Sequence, residues 1–170
     1  STVFRGVKPP IFALVYVENT GKLMHITTLT DDRFDEFFEL VKSMIQEAEF
    51  SGAQPDKQII WSVYKNPNVK VFLSLGDDKI VGFLAVVKTT YFFSTKPKIS
   101  DIGFYVKPKY RGSSSAVKLL KALEDWAKEN NISDIAIGQT TAVDMEKTQQ
   151  FYNRLGYKTV GYNTIKHLEI

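Results

Sequence analysis

The chain has 170 residues, 44% hydrophobic, 13% aromatic and 24% charged, the balance of a globular protein and not of a disordered one. With 22 basic against 19 acidic residues, the net charge of +3 suits an anionic ligand and is too small to imply nucleic acid. The absence of cysteine excludes a disulfide framework and a thiolate metal site, and points to a reducing, cytoplasmic compartment. His25 and His167 cannot form a histidine zinc site without carboxylate help, so no metal is expected.

In chain order, residues 1–21 read as an N-terminal arm, through Pro9 and Pro10, with an extra strand, "IFALVYVE". That apolar run is too short to cross a bilayer and suits a buried strand. The turn signal "NTGK" separates it from a second strand, "KLMHITTL". Thr30 and Asp31 are placed to cap a helix whose first turn is acidic and whose apolar face is Phe34, Phe37, Phe38, Val41, Met44, Ile45 and Ala48. Pro55 then suits the first position of a second helix, to Tyr64. From Asn68 the period shortens to two. "VKVFLSLG" and the long "KIVGFLAVVKTTYFF" form a hairpin around "GDDK", "STKPK" reads as a connector, and "ISDIGFYVKP" as a further strand closed by Pro108. Ala116, Leu119, Leu120, Leu123, Trp126 and Ala127 mark an amphipathic helix that Asn130 and Asn131 end. "SDIAIGQ" is a short buried strand. Met145, Thr148, Phe151, Tyr152 and Leu155 line a last helix stopped by Gly156, and "YKTVGYNTIKHLEI" supplies final strand material. No repeat, low-complexity segment or domain boundary interrupts residues 1–170, which read as one α/β domain with a mixed sheet.

The junction "YVKPKYRGSSSAVKLLKAL" sets Lys107, Lys109 and Arg111 before a helix opening on small residues. A helix N-terminus offers unpaired N–H groups and a positive dipole end, so such a junction suits phosphate. Gly112 lets the backbone approach closely, and Ser113, Ser114, Ser115 and Ala116 keep that approach open. Plain helix capping by the serines and a solvated basic run are the competing structural readings.

Val106, Pro108, Tyr110, Arg111, Gly112 and Ala116, followed by Tyr152, Leu155, Gly156 and Tyr157, resemble the two motifs of the GNAT-type N-acetyltransferases. The resemblance covers roughly residues 23–170. It implies a GNAT-like mixed, centrally splayed β-sheet flanked by about four helices, with acetyl-coenzyme A as co-substrate. It also implies that the strand before the loop receives the pantetheine arm through backbone groups of Phe104 and Val106, facing residues 134–139. Tyr152 falls on the family's general-acid position, and a phenol with an ordinary pKa of about 10 stays protonated at neutral pH. The alternative for Tyr152 is a core aromatic beside Phe151. Asp101 is the first choice of base, with Glu47, Glu49, Asp144 or a water chain as alternatives. Two departures stand out: Ser114 replaces the usual mid-loop glycine, and Met145 replaces an asparagine of the family.

By the same resemblance, residues 31–64, Tyr91 to Phe93 and 162–167 shape the acceptor pocket, and Trp61, Tyr64, Tyr91 and Phe93 could line it. The acceptor expected is a small-molecule or peptide primary amine, attacking directly, with neither nucleic acid nor membrane as partner and a homodimer left open. His25 reads as structural; His167 could reach the acceptor site. An inactive GNAT-like module that only binds acyl-CoA or a partner competes with the enzyme, and a basic nucleic-acid-binding domain ranks last.

Overall fold

The computed structural model describes residues 23–48, 52–138, 145–161, 164 and 166–169. The arm and extra strand expected before Leu23 lie outside these residues. Within them the order is β1 (His25–Thr28), α1 (Phe34–Glu47), α2 (Lys57–Tyr64), β2 (Val69–Gly76), β3 (Lys79–Thr90), β4 (Pro97–Val106), α3 (Ser115–Glu129), β5 (Ile135–Ala136) and α4 (Met145–Arg154). The five strands form one sheet in chain order, antiparallel throughout except for the parallel pair β4 and β5.

Each junction has a local cause. Asp77 and Asp78 sit at φ 49° and 62°, the left-handed pair that a two-residue hairpin turn between β2 and β3 needs and that aspartate tolerates. β3 is twelve residues long, in keeping with the β-branched Ile80, Val81, Val86, Val87, Thr89 and Thr90 and the aromatic Phe83 along it. α3 and α4 both end on paired 6→1 and 5→2 hydrogen bonds, with Asn131 at φ 54° and Gly156 at φ 87° as the left-handed residues.

The structure corrects four boundaries. Asp31–Arg33 form a 3-10 turn before α1, and Thr30 makes no side-chain cap there. Asp31 instead accepts from the Tyr64 hydroxyl at 2.9 Å. α2 starts at Lys57 rather than Pro55, because the Asp56 carboxylate caps it, accepting from the N–H groups of Gln58 at 2.8 Å and Ile59 at 3.1 Å. β4 takes in Pro97 and Lys98, read from sequence as connector; proline is tolerated as a strand's first residue. The described residues after Gly156 form no strand.

α1 and α3 cover opposite faces of the sheet. Phe83 meets Phe37 of α1 edge-on, with ring centres 5.0 Å apart. Phe72 meets Trp126 of α3 at 6.0 Å. Phe83 pairs with Leu73, and Phe72 with Leu84, so neighbours along each strand point to opposite helices. β2 and β3 therefore bury both faces, which explains their continuous apolar runs. Leu119, Leu120 and Leu123 of α3 are fully buried in this core. Leu123→Ala removes atoms from a site with no solvent to refill it, and urea unfolding is expected to show a loss of about 3 kcal/mol. A loss below about 1 kcal/mol would contradict this packing.

Candidate active site

The site begins where the sheet comes apart. Among the described residues β4 and β5 pair only at Ile99 with Ile135 and Ser100 with Ala136. At the next step of β4 the register with β3 shifts, Val86 facing Asp101 and Ala85 facing Gly103, which leaves Ile102 as the extra residue of a bulge. Past the bulge β4 follows β3 alone. Asp101 spans the opening: its Oδ1 accepts the Gly138 N–H at 2.7 Å, a side chain replacing the next rung of the ladder. The Lys107 N–H donates to the Val81 carbonyl at 2.8 Å, so by strand alternation the backbone groups of Phe104 and Val106 point away from β3, toward the opened side.

The strand then runs through the 3-10 turn Pro108–Tyr110 into Gly112, at φ 96°, a conformation suited to glycine. α3 follows from Ser115. Among the described residues, the N–H groups of Gly112, Ser114, Ala116 and Val117 meet no acceptor; for the last three this is what the geometry of a helix's first turn requires. Together they form the amide-lined turn that the spacing implied.

The side chains of this turn divide. Ser115 is fully buried, its hydroxyl 2.8 Å from that of Ser74 on β2 and 3.1 Å from that of Ser113, so it anchors the helix instead of facing a phosphate. Ser113 Oγ also accepts the Ser115 N–H at 3.2 Å, which is the capping role weighed against ligand binding. Ser114 makes no side-chain cap. Lys118 reaches back to the Met24 carbonyl at 2.9 Å, and Lys121 pairs loosely with Asp125 at 3.4 Å on the exposed face.

Arg111 departs furthest from expectation. Its Nη2 donates to Glu47 at 2.7 Å, its Nη1 to the other carboxylate oxygen, and its Nε to the Val106 carbonyl at 2.9 Å. The guanidinium lies against the Tyr105 ring, 5.4 Å from its centre, and the Tyr105 hydroxyl donates to Glu47 at 2.8 Å. Arg111 thus braces the loop, and its charge is committed to a carboxylate. Val106 correspondingly has its carbonyl occupied, leaving its N–H as the group turned to the opening. Glu47, named from sequence as an alternative base, is engaged here. Burial pushes its pKa up, but Arg111 and Tyr105 outweigh that and hold it below the ordinary value.

Tyr152 and Asp101 line one cleft of about 1010 Å³ between β5, α3 and α4, together with Gly138, Glu124 and Tyr157. Only 6% of Tyr152 is exposed, and its hydroxyl makes no hydrogen bond among the described residues. Burial first, then the charges of Asp101 and Tyr157, push its pKa well above the usual phenol value, so it stays protonated at any physiological pH. The bonds that cap α4 place Tyr157 against it: the Tyr157 N–H donates to the Tyr152 carbonyl at 3.0 Å, and the rings lie 5.7 Å apart. Burial raises the Asp101 carboxyl to about 6 against the pull of the Gly138 N–H. A carboxylate in that range accepts a proton near neutral pH and releases it again.

The proposed acceptor-lining aromatics form two clusters with no ring contact between them among the described residues. Trp61 and Tyr64 of α2 pack on Phe34 at 4.8 and 5.9 Å. Tyr91 meets Phe93 at 5.5 Å beyond β3, and its hydroxyl donates to Asp134 at 2.6 Å. His25 is exposed on β1. Glu49, Gln139, Asp144 and Tyr162 lie outside the described residues. Sequence reasoning missed Ser74 as the loop's anchor. Its signal was a lone hydroxyl in an otherwise apolar buried strand. Gly138, the partner of Asp101, carried no signal because it acts through its backbone.

The sequence pattern of the acetyltransferase (GNAT) family matches residues 29–157. The chain belongs to that family. No curated protein sequence matches the chain. Among solved structures it is similar to an aminoglycoside acetyltransferase, meta-AAC0020, from an uncultured soil metagenomic sample in complex with trehalose. That match has 20% identity and a TM-score of 0.70, covering 86% of this chain and 97% of the other. A ribosomal-protein-alanine N-acetyltransferase from Brucella melitensis biovar Abortus 2308 shares 17% identity at a TM-score of 0.67, over 85% and 99% of the two chains. AAC(6')-Iy in complex with a bisubstrate analog, CoA-S-monomethyl-acetylneamine, shares 16% at a TM-score of 0.68, over 87% and 99%. At these identities the likeness is one of fold, and it supports the GNAT architecture of the five-stranded mixed sheet with four helices.

Proposed function

We propose that this GNAT-family chain is an acetyl-CoA-dependent N-acetyltransferase acting by direct attack of a primary amine. The observation that carries the reading is the opened strand β4: a carboxylate near neutrality and a protonated buried tyrosine share the cleft where it parts from β5, and an amide-lined turn follows its far end. In this reading the N–H groups of Gly112, Ser114, Ala116 and Val117 hold the diphosphate of the co-substrate. Backbone groups of Phe104 and the Val106 N–H receive the pantetheine arm. Asp101 takes the proton that the attacking ammonium must lose, and Tyr152 hands its phenol proton to the departing thiolate.

The acceptor class is a small-molecule or peptide amine, in keeping with the aminoglycoside and ribosomal-protein substrates named for similar folds. The chain holds no cysteine, and no helix among the described residues is long and apolar enough to cross a membrane, which supports our assignment to the cytoplasm. Ser114, where the family pattern has glycine, favours one competing reading, a module that binds acyl-CoA without turnover. Thiol release from acetyl-CoA across a panel of amines tests this directly. Amine-dependent release establishes the transferase. Binding of acetyl-CoA with no release from any amine establishes the binding module.

A further inference from the structure

We propose that Glu47 is a positioning residue of the acetyl-CoA site, which sets the loop's amides in place by holding Arg111. The inference rests on the functional reading above and adds a residue from α1, remote in sequence from either family motif.

The geometry is that of a brace. With only 10% of its side chain exposed against 28% for Glu47, Arg111 is turned inward, away from where a diphosphate would meet the loop. Its fork is filled: both terminal nitrogens donate to Glu47, and Nε donates to the Val106 carbonyl. Tyr105 adds a third donor to the carboxylate, at 2.8 Å. One carboxylate at the end of α1 thereby joins the last residues of β4 to the residue immediately before Gly112. A bidentate carboxylate–guanidinium pair fixes orientation as well as distance, which a lysine in this place could not do. The loop's backbone is consequently arranged before any ligand arrives, and arranging it in advance removes an ordering cost from binding.

An electrostatic role predicts the opposite behaviour. If Arg111 served the phosphates through its charge, releasing it from Glu47 would strengthen binding. If it serves through geometry, releasing it weakens binding.

The test is Glu47→Gln, titrated calorimetrically with desulfo-CoA and assayed with acetyl-CoA, beside the wild-type chain. We expect Kd for desulfo-CoA and KM for acetyl-CoA to rise at least tenfold, while kcat at saturation stays within about threefold. Tyr105→Phe, which keeps the ring and the ion pair but removes one donor, is expected to raise Kd about threefold, and it carries the test if Glu47→Gln does not fold. Wild-type binding together with unchanged or tighter binding by the folded variants, even at a lowered melting temperature, would overturn the positioning role alone. A wild-type chain that takes up no desulfo-CoA would overturn the functional reading on which it rests.

Discussion

Tyr152→Phe is expected to lower kcat by at least a hundredfold while leaving the fold and the KM for acetyl-CoA close to wild type. The substitution removes one oxygen and one proton. The ring keeps its place against Phe151 at 5.5 Å and Tyr157 at 5.7 Å, so the packing of α4 survives. The hydroxyl makes no hydrogen bond among the described residues, so its removal strands no partner among them and the melting temperature should hardly move. In the proposed mechanism, what disappears is the acid. A positioned general acid contributes about 10² to 10⁴ in rate, and the loss should fall on kcat because the proton moves as the thiolate departs. Steady-state kinetics beside a thermal melt decides the matter. A kcat within threefold of wild type would assign Tyr152 to the core alone.

Asp101→Asn is expected to abolish the acidic limb of the pH–rate profile as well as most of the activity. In the wild type the Asp101 carboxyl lies near 6, raised by burial. Acting as base, it must be ionised, so the wild-type rate should climb as pH rises through about 6 and level off above 7. The same shift has a consequence for stability. A carboxyl whose folded pKa exceeds its unfolded value of about 3.8 favours folding below the unfolded pKa. That contribution is lost as pH rises through about 6. The ionised group at pH 7 therefore costs on the order of 2–3 kcal/mol, at about 1.36 kcal/mol for each pK unit. The carboxamide introduced by Asp101→Asn cannot ionise. The variant should therefore lose the decline in stability that the wild type shows between pH 4 and 6, measured by urea unfolding at several pH values. A rising limb near pH 6 that persists in the variant would place the base elsewhere, with a water chain the next choice.

How much of this was legible in the sequence follows from which atoms form each contact. The sheet was readable because β2 and β3 alternate little and bury both faces, and the "GDDK" turn fixes their pairing. α3 was readable because Leu119, Leu120 and Leu123 share one stripe that ends at asparagine residues able to adopt the left-handed cap. The caps of α1 and α2 were misread, since Asp31 found a better partner in Tyr64 and Asp56 outcompeted Pro55 as the boundary. At the site, Gly112 and Tyr152 were visible as motif positions. Arg111 and Ser115 were visible too, but as ligand groups, while the structure turns one into a brace and the other into a buried anchor. That distinction depends on Glu47 and Ser74, which lie 64 and 41 residues away from them in the chain. The splay itself left no trace in side chains, because a ladder that stops after Ser100 is written in backbone hydrogen bonds.

In the proposed mechanism the unpaired amides at the start of α3 hold the diphosphate of acetyl-CoA. An amide-resolved NMR titration of the uniformly ¹⁵N-labelled chain with desulfo-CoA tests it most directly. The largest shifts are expected on Gly112, Ser114, Ala116 and Val117, saturating together, with smaller ones on Phe104 and Val106. Saturating ligand that leaves those four amides unmoved would contradict it.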